Sequence, residues 1–132
     1  MINRDIIFKS ATRVYEQLDY GLSEAAYQIA LAEELREYYN DVQTEYHVSE
    51  YYTTSKGRKI QVASLRIDIL INDNIILELK SVGGKLEKKD EENTMKQKEY
   101  KQCKRYQKLK NINEGYLINF GEKQLDFIPI KI

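Results

Sequence analysis

The chain has 132 residues, of which 42% are apolar, enough for one domain with one core and too apolar for a disordered polymer. Its single Cys103 and single His47 exclude an internal disulfide and a histidine-cysteine zinc site, so any metal is expected to be a hard ion on oxygen ligands. Net charge is zero but uneven: residues 1–55 carry four basic and ten acidic side chains, and residues 56–132 carry seventeen and eleven. A polyanion is therefore not excluded, because a local patch decides such binding. No apolar run is long enough to span a membrane and no signal peptide is evident, which leads us to expect an intracellular protein that does not engage a membrane.

Helical spacing of Ile7, Ala11, Val14 and Leu18 predicts a helix over residues 5–19, ended by Gly21 as C-cap. Ser23 is expected to cap a second helix to about Tyr39, with Ala25, Ile29 and Ala32 on one stripe. Glu24 lies in its first turn, where the helix dipole favours a carboxylate. It also shares a stripe with Tyr27 and Leu31, so a buried Glu24 would need a partner such as a metal or a lysine. Residues 42–52 alternate as a strand, Thr53–Gly57 as a hairpin loop and residues 58–63 as its return. The apolar phase changes between Val62 and Leu65, which predicts a bulge or bend.

The run LRIDILINDNIILELK, residues 65–80, is the most informative part of the chain. Two apolar segments flank Asn72-Asp73-Asn74, the pattern of a β-hairpin. With those three residues as the loop, Ile71 faces Ile75, Ile69 faces Leu77 and Ile67 faces Leu79 on a wholly apolar side. The other side pairs Leu70 with Ile76, Asp68 with Glu78 and Arg66 with Lys80. A one-residue slip would mix the sides, so the pattern selects this register. Two carboxylates directly opposite repel unless a divalent cation sits between them. Lys80 follows Glu78 by two residues and projects from the same face. An acid pair and a lysine in this arrangement suit metal-assisted hydrolysis of a phosphodiester. The competing reading is a solvent-facing ladder in which Lys80 pairs with Glu78 or Arg66 faces Asp68.

Residues 83–94 are rich in charge and are expected to form a mobile insertion, followed by a helix over 95–110. That helix carries Lys96, Lys98, Lys101, Lys104, Arg105, Lys108 and Lys110 against Glu99, with Gln102 and Tyr106 one turn apart. It reads either as a solvated face or as a phosphate-tracking surface formed by Lys101, Lys104, Arg105, Lys108 and Tyr106. Tyr116–Phe120 and Leu125–Ile132 are expected strands, the last at an edge because of Pro129. The order ααβββαββ predicts an α+β (α/β sandwich) domain spanning residues 1–132, with a mixed central sheet flanked by helices.

Gly21, Glu24 and Tyr27 reproduce a G-x-x-E-x-x-Y pattern, followed in order by RIDILI, ELKSV and YLINFG. In these motifs the chain resembles the GxxExxY proteins and, through them, the PD-(D/E)xK nuclease superfamily. The resemblance runs from about residue 5 to the end and implies a restriction-endonuclease-like core. It also implies that Asp68, Glu78 and Lys80 are the catalytic acid, acid and lysine, that Glu24 is an extra helix acid and that Gln102 matches the glutamine of the helix after the core. Ile67 stands where the proline of the "PD" element would be. The activity so implied is a Mg²⁺- or Mn²⁺-dependent nuclease acting on DNA, with RNA left open. Asp68, Glu78, Glu24 and the Leu79 carbonyl would be the metal ligands, and a homodimer is an expected arrangement. The alternative is a catalytically silent nucleic-acid-binding or accessory module that keeps the fold.

Overall fold

The computed structural model describes residues 2–82, 105, 112 and 114–130. Two helices, α1 (Asn3–Leu18) and α2 (Glu24–Leu35), precede five strands: β1 (Val42–Thr53), β2 (Lys59–Ile71), β3 (Ile75–Lys80), β4 (Glu114–Phe120) and β5 (Leu125–Pro129). The strands form one sheet in chain order, antiparallel at every seam except β3–β4, which is parallel. The sheet is therefore mixed, as expected, and the domain is α+β. The expected insertion 83–94 and all of the expected helix 95–110 except Arg105 lie outside the described residues.

Ile7, Ala11 and Val14 of α1 are buried, as their spacing predicts. The helix ends differently from expectation. Asp19, at φ 60°, is the C-cap and its N–H donates to the Tyr15 carbonyl, while Gly21 lies two residues beyond at φ 119°. With ψ at −177° this is a strained conformation for a residue other than glycine, so the chain turns at Asp19 before Gly21 is reached. Ser23 caps α2 as expected, its Oγ accepting from the Ala26 N–H. The expected stripe is corrected: Tyr27, Leu31, Ala32 and Leu35 face the core, whereas Ala25 and Ile29 point to solvent. The larger Tyr27 and Leu31 bury more apolar area and set the rotation of the helix. The helix stops at Leu35, short of Tyr39, and continues as a hydrogen-bonded turn.

Both helices pack on one sheet face, against Ile69, Ile71, Ile75, Leu77, Leu79, Tyr116, Ile118 and Phe120. The opposite face gathers Leu70, Ile76, Leu117, Ile128, Ile112 and Ile130. Ile67 belongs to this second cluster, with Tyr46, Val48 and Leu65, and not with Ile69 as the hairpin pattern predicts. The side-chain phase of β2 thus reverses around Asp68. The partner strand is irregular at the same level, where Glu45 adopts φ 51°. The bulge expected near Val62 is present as well: Tyr51 pairs with Gln61 and Glu50 with Ala63, leaving Val62 as the extra residue.

The hairpin register is correct as far as it runs. Ile71 pairs with Ile75, Leu70 with Ile76 and Ile69 with Leu77 around an Asn72-Asp73 turn with both residues at positive φ. There the ladder stops. β2 continues along β1, β3 pairs with β4 through Lys80, and the expected ladder pairs Asp68–Glu78, Ile67–Leu79 and Arg66–Lys80 do not form. β5 is an edge strand that ends at Pro129, which fits a residue unable to donate to a ladder.

Candidate active site

The site lies where β2 and β3 part. The Leu79 N–H, which would otherwise point at a β2 carbonyl, donates to Asp68 Oδ2 at 2.8 Å. A side-chain carboxylate thus replaces a backbone acceptor, and the strands separate without orphaning that donor. Asp68 and Glu78 are 6% and 3% exposed, so both expected acids are buried. The two carboxyl groups are close enough for the Asp68 charge to act on Glu78. Glu78 Oε1 is buried and has no hydrogen-bond partner.

Burial and, second, the Asp68 charge push the Glu78 carboxyl well above the usual carboxylate range. Arg66 opposes this shift. Its guanidinium bridges Asp68 Oδ1 at 3.3 Å and Glu45 Oε1 at 3.4 Å, and its side chain is about half exposed. The solvent-ladder reading is therefore right about Arg66 meeting Asp68 and wrong about exposure of the acids. Lys80 is half-buried, one alternation beyond Glu78 on β3 and level with Asn119 of β4.

Three further groups position this end of β3, and the motif reading missed their role. Asn119 is fully buried; its Oδ1 accepts from the Val82 N–H at 3.0 Å and its Nδ2 donates to the Val82 carbonyl at 3.3 Å and to Asp126 Oδ2 at 3.1 Å. It extends the β3–β4 seam by one side chain and holds the exit from Lys80. An asparagine inside the apolar strand YLINF is the available signal, since a buried amide must be paired. Ser81 Oγ donates to the Leu22 carbonyl at 3.0 Å, which ties the α1–α2 loop to the residue after Lys80. Tyr27 holds that loop in turn: its hydroxyl donates to the Asp19 carbonyl and accepts from the Leu22 N–H at 3.2 Å, and its ring stacks on Phe120 with centroids 4.3 Å apart.

Gly21 and Tyr27 of the G-x-x-E-x-x-Y pattern thus have structural work, the glycine by its φ of 119° and the tyrosine by pinning the loop. Glu24 opens α2 and is exposed, so it does not need the buried partner its stripe suggested. Among the described residues no three acidic, histidine or cysteine side chains cluster closely enough to hold a metal, so Glu24 is not gathered with Asp68 and Glu78. Arg105 is exposed and forms a two-point ion pair with Glu50, through Nε at 2.6 Å and through Nη2. Lys101, Gln102, Lys104, Tyr106 and Lys108 lie outside the described residues.

Comparison with known proteins gives the family and the fold. Residues 3–128 match the family model of the PD-(D/E)XK nuclease superfamily, and the chain belongs to that superfamily. The crystal structure of SSO0001 superimposes with a TM-score of 0.55 at 16% identity, over 99% of this chain and 77% of that one. At that identity the likeness establishes a shared fold alone. No curated protein matches the sequence significantly.

Proposed function

We propose that the protein is a divalent-metal-dependent nuclease hydrolysing phosphodiester bonds of DNA, with RNA as the second substrate to test, and that the β2–β3 gap is its active site. The observation that carries this reading is the buried pair Asp68–Glu78 with Glu78 Oε1 left without a hydrogen bond. A buried polar atom without a partner is costly, and two adjacent carboxylates add repulsion. A hard cation on oxygen ligands relieves both, so the donor set fits Mg²⁺ or Mn²⁺. Asp68 Oδ1 and Glu78 Oε1 would hold it. The Leu79 carbonyl is a third candidate, because a strand residue directs its N–H and C=O to the same neighbour and the Leu79 N–H already meets Asp68. The ion would supply Lewis-acid stabilisation of the phosphoryl oxygens and a more acidic bound water.

The chain's own residues divide the remaining work. Lys80 presents its ammonium on the Glu78 face, where it would stabilise charge developing on the phosphorus oxygens and orient the water. Arg66, held on Asp68 and Glu45, would turn to the substrate phosphate once a cation takes over Asp68. Asn119, Ser81 and Tyr27 keep Lys80 at its position, and Gln102 would contact the water or a phosphate. The G-x-x-E-x-x-Y pattern supports a place among the GxxExxY proteins, with Glu24 as its helix acid.

The direct test is incubation with labelled single- and double-stranded DNA and RNA, with and without Mn²⁺. Metal-dependent products from the wild type and none from Asp68→Asn are expected. A wild type that binds nucleic acid yet leaves every substrate intact would establish the silent binding module instead.

A further inference from the structure

β1 and β2 run on as a two-stranded ribbon past the point where β3 leaves them. Between Glu45 and the tip at Thr54-Ser55-Lys56-Gly57, β2 pairs with β1 alone among the described residues. At about 3.3 Å per residue the ribbon extends roughly 30 Å beyond Asp68. Its two faces differ. One face continues the core through Tyr46, Val48 and Leu65 and carries Glu50, whose charge Arg105 meets. The other is solvent-exposed from root to tip: Glu45 and Arg66, then His47, Ser49 and Ser64, then Tyr51, Lys59 and Gln61.

Residues 51–62 hold Lys56, Arg58 and Lys59 and no acidic side chain. Lys59 Nζ stands 4.4 Å above the Tyr51 ring centre. Tyr51, Tyr52, Ile60 and Val62 are 49%, 59%, 41% and 60% exposed, an unusual density of large apolar groups for a solvent-facing ribbon.

We propose that this ribbon is a nucleic-acid-binding arm, contacting the phosphate backbone of the substrate on one side of the β2–β3 gap. This rests on the nuclease reading and names the element that would hold the substrate. Charge decides the occupant. Three cations without an acid attract a polyanion and repel a second copy of the same ribbon, since basic side chains along an open strand edge oppose edge-to-edge pairing. A two-stranded ribbon also has the width that a duplex major groove admits. The exposed face begins at Arg66, which touches Asp68, so a backbone lying along it would lead to the acid pair.

The test is binding of fluorescein-labelled 20-base-pair DNA and RNA duplexes in EDTA, followed by anisotropy from 50 to 300 mM salt. Cleavage plays no part, so failure of the nuclease reading leaves this result standing. The triple variant Lys56→Gln, Arg58→Gln, Lys59→Gln should keep its melting temperature, lose at least tenfold in affinity and flatten log K against log salt by about 2–3, near 0.9 per lost phosphate contact. Lys123→Gln, in the β4–β5 turn, should leave the slope unchanged. The proposal is overturned if the triple variant binds both duplexes with wild-type affinity and slope, or if the wild type binds neither. It is also overturned if the triple variant changes only self-association in sedimentation velocity, which would make the ribbon a contact between copies.

Discussion

The two seams of β3 behave differently. Toward β4 the strand is paired along its whole length, from Ile75–Glu114 to Lys80–Asn119, and Asn119 carries the seam on to Val82. Toward β2 it is paired only from Ile75 to Leu77, and the next contact is the Asp68 carboxylate on the Leu79 N–H. The closed seam makes β3 a fixed rail, and the open seam supplies the space in which two carboxylates meet. A fully zipped hairpin would fill that space with backbone hydrogen bonds. Burial at an open seam is costly for acids, and that cost is what a cation would recover.

The largest expected effect comes from removing the open seam's charge. Asp68→Asn or Glu78→Gln should reduce metal-dependent cleavage by on the order of 10³-fold or more, and Lys80→Ala by about 10²–10³-fold, as for loss of a group aimed at transition-state charge. Single-turnover assays with saturating enzyme would separate this from binding. If Lys80→Ala weakens only binding, the lysine is an ordinary positive charge and the contrast between the seams loses its catalytic meaning.

The closed seam is tested by stability. Asn119→Ala removes three hydrogen bonds and leaves the Val82 N–H and Asp126 to find other partners, which should cost about 2–3 kcal/mol. Urea titration followed by circular dichroism would measure it. An effect under about 0.5 kcal/mol would mean that the seam beyond Lys80 is not held by Asn119.

Divalent cations should stabilise the open seam. An ion binding only the folded state adds about 2.7 kcal/mol at one hundred times its dissociation constant. Melting temperature should therefore rise with Mn²⁺ in the wild type and much less in Asp68→Asn. Equal rises in both proteins would locate the ion elsewhere.

The pH dependence has a definite sign. Glu78 holds its proton more tightly folded than unfolded, so folding is favoured while that proton is bound. This contribution is fully present below the ordinary glutamate range and is lost as pH rises through the elevated folded value. In metal-free buffer the stability of the wild type relative to Glu78→Gln should therefore fall as pH is raised from about 4.5 toward neutrality. Arg66→Gln should move that loss to higher pH, because Arg66 lowers the Glu78 value. A difference that is flat in pH would show that neither burial nor the Asp68 charge raises the Glu78 carboxyl.

The smallest effect is expected at the loop. Tyr27→Phe keeps the stack on Phe120 and removes the hydroxyl that joins Asp19 to Leu22, at a cost of about 1 kcal/mol. Because Leu22 is bound by Ser81, cleavage should fall a few-fold through Lys80. Unchanged cleavage with the full stability loss would confine Tyr27 to folding.

Local pattern was enough for the hairpin around Asn72-Asp73-Asn74 as far as Ile69–Leu77, the Ser23 cap, the bulge at Val62 and the edge placement of Pro129. Each depends on neighbours in sequence or on alternation with period two, which survive without knowledge of the rest of the chain. The superfamily motifs also lie within short stretches. What the sequence could not supply is where a ladder ends. Whether β2 stays with β3 or leaves with β1 depends on the strand on its other side and on Glu45 turning to positive φ. The same dependence moved Ile67 to the opposite core, turned α2 to bury Tyr27 in place of Ile29, and gave Arg66 and Asn119 their partners. Side-chain pairing across separate strands is a tertiary event, because it requires residues far apart in the chain to be brought to one place. The acids are legible in the sequence, and the gap that brings them together exists only in the fold.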